Sequence, residues 1–535
     1  MVGPALPLGV RVTGPTVTDQ RAEVLVAEPQ LDDPPTRFPA AMDRDYPMLI
    51  DGQPVFGDDG DVFQCIDPYE DAAWGRVYAG QPRHVDAAVA AARRAFDDGE
   101  WSRTTPADRA ALLRGLAELI DRDASDLTLS QIHENGKLIG EMSTGVAGLA
   151  MQARYIADLA ESHEDLVVQT GMPNMNTSVS RAPVGVVAAV TPWNSPLTLL
   201  GWKLLPALGA GCTLVIKPSE VTPTSTLRMA QLCVEAGLPA GVVNVVTGFG
   251  CPTAQTLINH PAVDKIAFTG STRTGQVVAR AAADGLKRLT LELGGKSPQI
   301  VLRDADLDSA VHGVMSGIFA ASGQTCLAGS RVLAEAPIYD DFVARLAAAT
   351  SSLTLGDPLD PTVDVGPLAN RRQLQTVLDY LELGRREGAA IVAGGRRASG
   401  STELDRGYFV EPTVFADVDT DARIAREEIF GPVVVVSRCD DEDDAISKAN
   451  DTEFGLAAGV WTQNQAAADR VIRRVRAGTV WVNTYRVLHL AMPFGGFKKS
   501  GIGRELGADA LAPYCEIKSV WRDLGNPQNF GRKPS

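Results

Sequence analysis

The 535-residue chain is poor in the features that would staple, anchor or steer a small domain. Its seven cysteines stand singly at 65, 212, 233, 251, 326, 439 and 515, with no Cys-x-x-Cys pair. An odd set of isolated cysteines in a long chain reads as reduced thiols in a cytoplasmic setting, not as a disulfide framework or a metal site. Positive charge is scarce: 50 Lys and Arg against 66 Asp and Glu leave a formal charge of -16. An acidic surface repels phosphate backbones, so nucleic acid is not the expected partner. The first residues, MVGPALPLGVRVTG, have no basic leader and are broken by prolines, unlike a signal peptide. The most apolar long window, 196–216, is interrupted by Lys203, Pro206 and three glycines. It reads as a buried helix followed by a strand, and no membrane partner is expected.

What is present is ordinary globular sequence, 45% hydrophobic and 22% charged. At about 150 residues per domain, the length accommodates roughly three or four domain-sized units. Residues 1–44 are rich in proline and acidic residues and read as a flexible arm. Val85, Ala88, Val89, Ala92 and Phe96 then mark one helix face, and Thr105 with Pro106 opens a second helix. Between 183 and 302, apolar runs alternate with helical windows. The strand candidates are 184–190, 213–216, 242–246, 265–268, 288–291 and 299–302. Continuous apolar strands alternating with helices predict an α/β fold with a parallel sheet covered on both faces. A second alternating block runs from about 305 to 485.

Several motifs lie at the ends of these elements. In FTGSTRTG, Gly270 and Gly275 match the first and last glycines of GxGxxG, with Thr272 in the middle position. The helix N-terminus that follows Ser271 suits a dinucleotide phosphate, or is simply a tight turn. Glu292 in LELGGKS closes an apolar strand beside two glycines. Partial desolvation there would raise its pKa and suit a general base, although its spacing from Gly270 also fits a ribose ligand. Cys326 in GQTC sits in a loop of small residues that lets a substrate approach the sulfur. Trp193 and Asn194 in TPWNSP close another strand, where an amide can donate to an oxyanion. Lys217 and Glu220 in KPSE follow the next strand, where ligands gather in a parallel sheet. Taken singly, each segment is also compatible with a plain structural role.

In order, these segments resemble the NAD(P)-dependent aldehyde dehydrogenase superfamily, of the hydrolytic, non-acylating type. So do Glu428 and Phe430 in EIFGP, and Phe494 in PFGGFKKSG. The resemblance runs from Leu49 to Trp521. It implies a Rossmann-like cofactor domain over 45–165 and 183–292, and a catalytic domain over 293–500. A β-arm over 166–182 and 501–535 would join subunits into a homodimer or homotetramer. It also implies Cys326 as nucleophile, Glu292 as base for the hydrolytic water, and Asn194 with the Cys326 N–H as oxyanion donors. Trp193, Lys217, Glu220, Gly270, Ser271, Gly275, Glu428 and Phe430 would hold the cofactor. A carboxylate at 220 would repel a 2′-phosphate, which favours NAD over NADP. Ser195, Thr198, Leu199, Trp202, Thr325, Leu327 and Phe494 would line the substrate channel. That lining suits an uncharged aldehyde, while Arg486 leaves a carboxylated one open. The six histidines fall outside every matched motif, which argues against a Cys–His hydrolase. The competing expectations are an inactive NAD-binding homologue and an NAD-independent thiol hydrolase.

Overall fold

The computed structural model describes residues 44–57, 61–162, 165–172 and 174–525. Nearly all of the expected N-terminal arm, and the last ten residues of the expected tail, lie outside them. Two large sheets carry the molecule. In the first, the strands Arg288–Glu292, Lys265–Thr269, Val186–Val190, Thr213–Lys217 and Val243–Val245 lie side by side and parallel. Met48–Ile50 with Gln53–Val55 completes one edge, and Gly501–Ile502 the other, both antiparallel. The sheet is therefore mixed at its margins.

The central strands are apolar on both sides because both faces are covered. Val187, Ala189, Leu214 and Ile216 pack against the helices Pro106–Arg122, Ile139–Glu161, Pro196–Ala210 and Thr224–Glu235. Val186, Ala188 and Val215 face the other way, against Pro82–Asp97, Gln255–Asn259 and Thr272–Asp284. Each such Val, Leu or Ile side chain contributes about 1.5–3 kcal/mol by leaving water. Thr105 caps the second helix as expected, accepting from the Asp108 N–H while Asp108 accepts from the Thr105 N–H.

The second sheet runs in the order Ala390–Ala393, Thr413–Ala416, Val433–Cys439, Arg331–Glu335, Pro298–Val301, Ala457–Trp461 and Thr479–Val482. All neighbours are parallel except at the Ala390–Ala393 edge. This corrects one expectation. The apolar run near 299–302 is a strand, but it belongs here and not with the five before it. The Gly294–Gly295 link lets the chain leave one sheet and enter the other, and a Cβ on Gly295 would run into the Cys326 carbonyl. A separate three-stranded sheet pairs Cys515–Asp523 with Met175–Pro183 over nine residues, and Met175–Pro183 with Leu166–Val167.

Candidate active site

The carboxyl ends of the first sheet face the loops that enter the second. Between them lies a cleft of about 420 Å³, bordered by Trp193, Asn194, Leu199, Glu220, Gly270, Ser271, Glu292, Cys326, Glu428 and Phe430, among others. All three expected catalytic residues therefore meet in one cavity.

Cys326 is delivered by the helix Leu307–Ile318, which Asp306 caps by accepting from the Ser309 N–H. The chain then turns sharply through Ala321, Ser322 and Gly323, all at positive φ. At Gly323 a Cβ would collide with the Gly431 carbonyl, so the turn needs glycine. The loop is held from four sides. Ser322 Oγ donates to the Gly366 carbonyl (2.8 Å), and Gln324 Oε1 accepts from the Ala369 N–H (2.9 Å). Asn194 Nδ2 donates to the Gln324 carbonyl (3.0 Å), and the Tyr485 hydroxyl donates to the Leu327 carbonyl (2.9 Å). The Asn194 amide thus lies beside the nucleophile loop.

Electrostatics refine the expected thiolate. Burial, with the nearby charges of Glu292 and Glu428, pushes the Cys326 thiol up to about 12, against a smaller opposing effect of the Leu327 and Cys326 N–H groups. The sulfur therefore rests as a thiol, and the nucleophile role expected of it requires loss of that proton. Glu292, 3% exposed, has no hydrogen-bond partner on either carboxyl oxygen. Burial and then the charge of Glu505 hold its pKa well above the usual carboxylate range, while Lys203 and Arg504 oppose them. A base with a raised pKa can take a proton near neutral pH.

Glu220 borders the cleft, and the buried Lys217 has its Nζ 3.5 Å from Glu220 Oε2. Ser271 caps the helix Thr272–Asp284 by accepting from the Thr274 N–H (3.2 Å), leaving that N-terminus open to the cleft. Gly275 is needed because a Cβ would strike the Leu293 side chain. Glu428 Oε1 accepts from the Gly295 N–H (3.1 Å), and burial pushes its pKa up to about 7. Phe430 sits at φ +58, and its ring meets Trp193 edge-on at 5.2 Å.

The expected channel residues are scattered differently. Only Leu199 borders the cleft. Trp202, Leu327 and Phe494 pack with Leu199 in one buried cluster, the Trp202 and Phe494 rings 5.1 Å apart. Thr198 and Thr325 are half-buried, and Ser195 Oγ accepts from Lys137 Nζ at 2.8 Å.

A sequence profile of the aldehyde dehydrogenase family matches residues 56–520. An aldehyde dehydrogenase of Aspergillus niger is 44% identical over 480 residues, 90% of this chain and 95% of the relative. The chain belongs to the aldehyde dehydrogenase family. A betaine aldehyde dehydrogenase of Bacillus subtilis (strain 168) is 39% identical over 476 residues, covering 89% of this chain and 97% of that one. The solved NAD+ complex of an aldehyde dehydrogenase from Bacillus cereus is similar with a TM-score of 0.87. Its identity is 42%, over 91% of this chain and 98% of that one.

Two features of this aldehyde dehydrogenase went unread in the sequence. One is Lys203, fully buried in the apolar helix Pro196–Ala210, whose Nζ donates to Thr269 Oγ1 and Glu505 Oε1, both at 2.6 Å. A lone lysine in so apolar a helix was the signal, since a buried charge needs a partner. The other is an apolar slot of about 340 Å³ between Val190, Ile258, Phe268, Val277 and Val278, beside Thr274. Phe268 and Thr274 come from the FTGSTRTG segment, but the apolar side chains Val190, Ile258, Val277 and Val278 that close the slot carry no motif.

Proposed function

We propose that the enzyme oxidises an aldehyde to the free carboxylic acid with NAD as hydride acceptor. The observation that carries this reading is the convergence of Cys326, Glu292 and the Asn194 amide on one cleft that Glu220, Gly270, Ser271 and Glu428 also border. That lining fits the cofactor. Lys217 with Glu220 suits the adenosine ribose, the open helix N-terminus at Ser271 suits the pyrophosphate, and Glu428 suits the nicotinamide ribose. The apolar slot beside Thr274 suits the flat adenine base. When bound, NAD supplies the hydride acceptor that turns a thiohemiacetal on Cys326 into a thioester.

The protein's residues do the rest. Cys326 gives its proton to solvent in the cleft as its sulfur adds to the carbonyl carbon, which leaves Glu292 free for the later hydrolytic step. The carbonyl oxygen becomes an oxyanion beside Asn194 Nδ2 and the Cys326 N–H. One such donor contributes about 2.7–4 kcal/mol to transition-state stabilisation. Glu292 then takes a proton from water, which attacks the thioester carbon and returns Cys326 as the leaving group. A base at 292 supports hydrolysis rather than transfer of the acyl group.

The arm supports self-association into a homodimer or homotetramer. Leu166, Val167, Ile517 and Trp521 are exposed on a small sheet with an open nine-residue edge strand. Seven unpaired cysteines support a reducing compartment such as the cytoplasm. No helix among the described residues is long and apolar enough to cross a membrane.

NADH formation across an aldehyde panel tests the reading. Turnover in wild type, lost in Cys326→Ala, is expected. Equal rates in both would remove the covalent route, and NAD binding without turnover on any aldehyde would favour an inactive homologue.

A further inference from the structure

Lys137 lies within electrostatic reach of both Arg486 and Cys326, and neither cation borders the cofactor cleft. Lys137 follows the helix Ala124–Asn135 and is 6% exposed. Its backbone N–H donates to Asn135 Oδ1 (3.0 Å), and its ammonium donates to the hydroxyl of Ser195, the residue after Asn194 (2.8 Å). Arg486 comes from the loop after the strand Thr479–Val482, at φ +64. Its guanidinium donates to the Ser316 carbonyl (3.3 Å), on the helix that delivers Cys326. The preceding residue, Tyr485, holds the Leu327 carbonyl. Both cations are thus tied to the two segments that hold the reacting carbonyl.

Neither cation is paired. Among the described residues, Lys137 has a hydroxyl and Arg486 a backbone carbonyl, with no carboxylate at salt-bridge distance. Glu141 is the counter-charge nearby. Its Oε1 accepts from the Ala321 N–H (2.6 Å), and its Oε2 is buried without a partner. Burial lowers the Lys137 ammonium to about 8, with Glu141 and Cys326 opposing and Arg486 reinforcing the fall, so Lys137 remains mostly charged at neutral pH. Two cations against one carboxylate leave an excess positive charge. A buried ammonium bonded only to a hydroxyl has unmet donors, which an anion would satisfy.

We infer that Lys137, Arg486 and the Ser195 hydroxyl hold a distal carboxylate on the substrate, so that the preferred substrate is a semialdehyde. This rests on the dehydrogenase reading and narrows its substrate class. It also revises the uncharged aldehyde expected from the apolar lining. Trp202 and Phe494, the bulkiest apolar candidates, pack ring against ring in a buried cluster, whereas the Lys137 ammonium bonds to the residue after Asn194.

The test compares kcat/KM for 4-oxobutanoate, butanal and a trimethylammonium aldehyde in the intact enzyme with NAD. The expected order has 4-oxobutanoate ahead of butanal by about tenfold or more, with the cationic aldehyde last and the gap shrinking as salt is added. Arg486→Gln and Lys137→Met should each reduce the 4-oxobutanoate to butanal ratio. Equal kcat/KM for those two, or a ratio unchanged in both variants, would overturn the inference and leave the dehydrogenase reading standing. A second measurement does not depend on turnover. Glutarate should protect Cys326 from iodoacetamide in wild type and much less in Arg486→Gln. Protection without oxidation of any aldehyde would support the anion site and sink the dehydrogenase reading, whereas absence of protection in wild type would count against the site itself.

Discussion

Replacing Glu292 with glutamine keeps the shape of the side chain and removes its ability to take a proton. The carboxyl is 3% exposed, with both oxygens unpartnered, so no other hydrogen bond is lost with it. A positioned general base contributes about 10²–10⁴-fold, or roughly 3–5 kcal/mol of barrier at 1.36 kcal/mol per decade. That loss should fall on thioester hydrolysis. Mixed rapidly with NAD and aldehyde, Glu292→Gln should release about one NADH per subunit and then nearly stop. The pH dependence gives a second readout. Because burial and Glu505 raise the Glu292 pKa, its basic form is lost as pH falls through that raised value. Wild-type hydrolysis should therefore decline at a pH above the ordinary carboxylate range, and the variant should lack that limb. Steady turnover close to wild type with no burst, or an unchanged pH limb, would refute the assignment.

Other consequences follow from the same geometry. Asn194→Ala should slow acylation by about 10²–10³-fold, measured as the NADH burst rate, because it removes one oxyanion donor. It should also loosen the Cys326 loop by deleting the bond to the Gln324 carbonyl, seen as faster alkylation of the sulfur. Glu220→Gln should narrow the kcat/KM preference for NAD over NADP by about tenfold, since one like-charge repulsion near the 2′ position is removed. Ile517→Asp together with Trp521→Asp should lower the sedimenting mass, because both side chains are exposed on the edge strand Cys515–Asp523. An unchanged mass would detach that strand from assembly.

The parts of the fold written in apolar runs were legible. Each strand candidate between 183 and 302 lies within two residues of an observed strand, because β-branched residues buried on both faces leave an unmistakable run. Sheet membership was not legible in the apolar runs themselves, which grouped the strand Pro298–Val301 with the five before it although the family resemblance began a new domain at 293. A run of apolar residues records burial but not which neighbours supply it. The same limit applied to the site. Asn194, Glu292 and Cys326 could be singled out from their motifs, and one cleft borders all three. Lys203, Glu505 and Lys137 could not, because their meaning depends on partners up to 302 residues away. The apolar channel candidates looked alike in sequence, yet Leu199 borders the cleft while Trp202 and Phe494 are buried against each other.

The central claim is that the sulfur of Cys326 carries the acyl group during turnover. Acid-quenching Glu292→Gln during turnover and analysing its peptides by mass spectrometry would test it most directly. The account predicts an acyl adduct of the aldehyde's mass less one hydrogen atom, replacing the thiol hydrogen, on the peptide containing Cys326. Turnover that continues in Cys326→Ala, or an adduct confined to another cysteine, would contradict it.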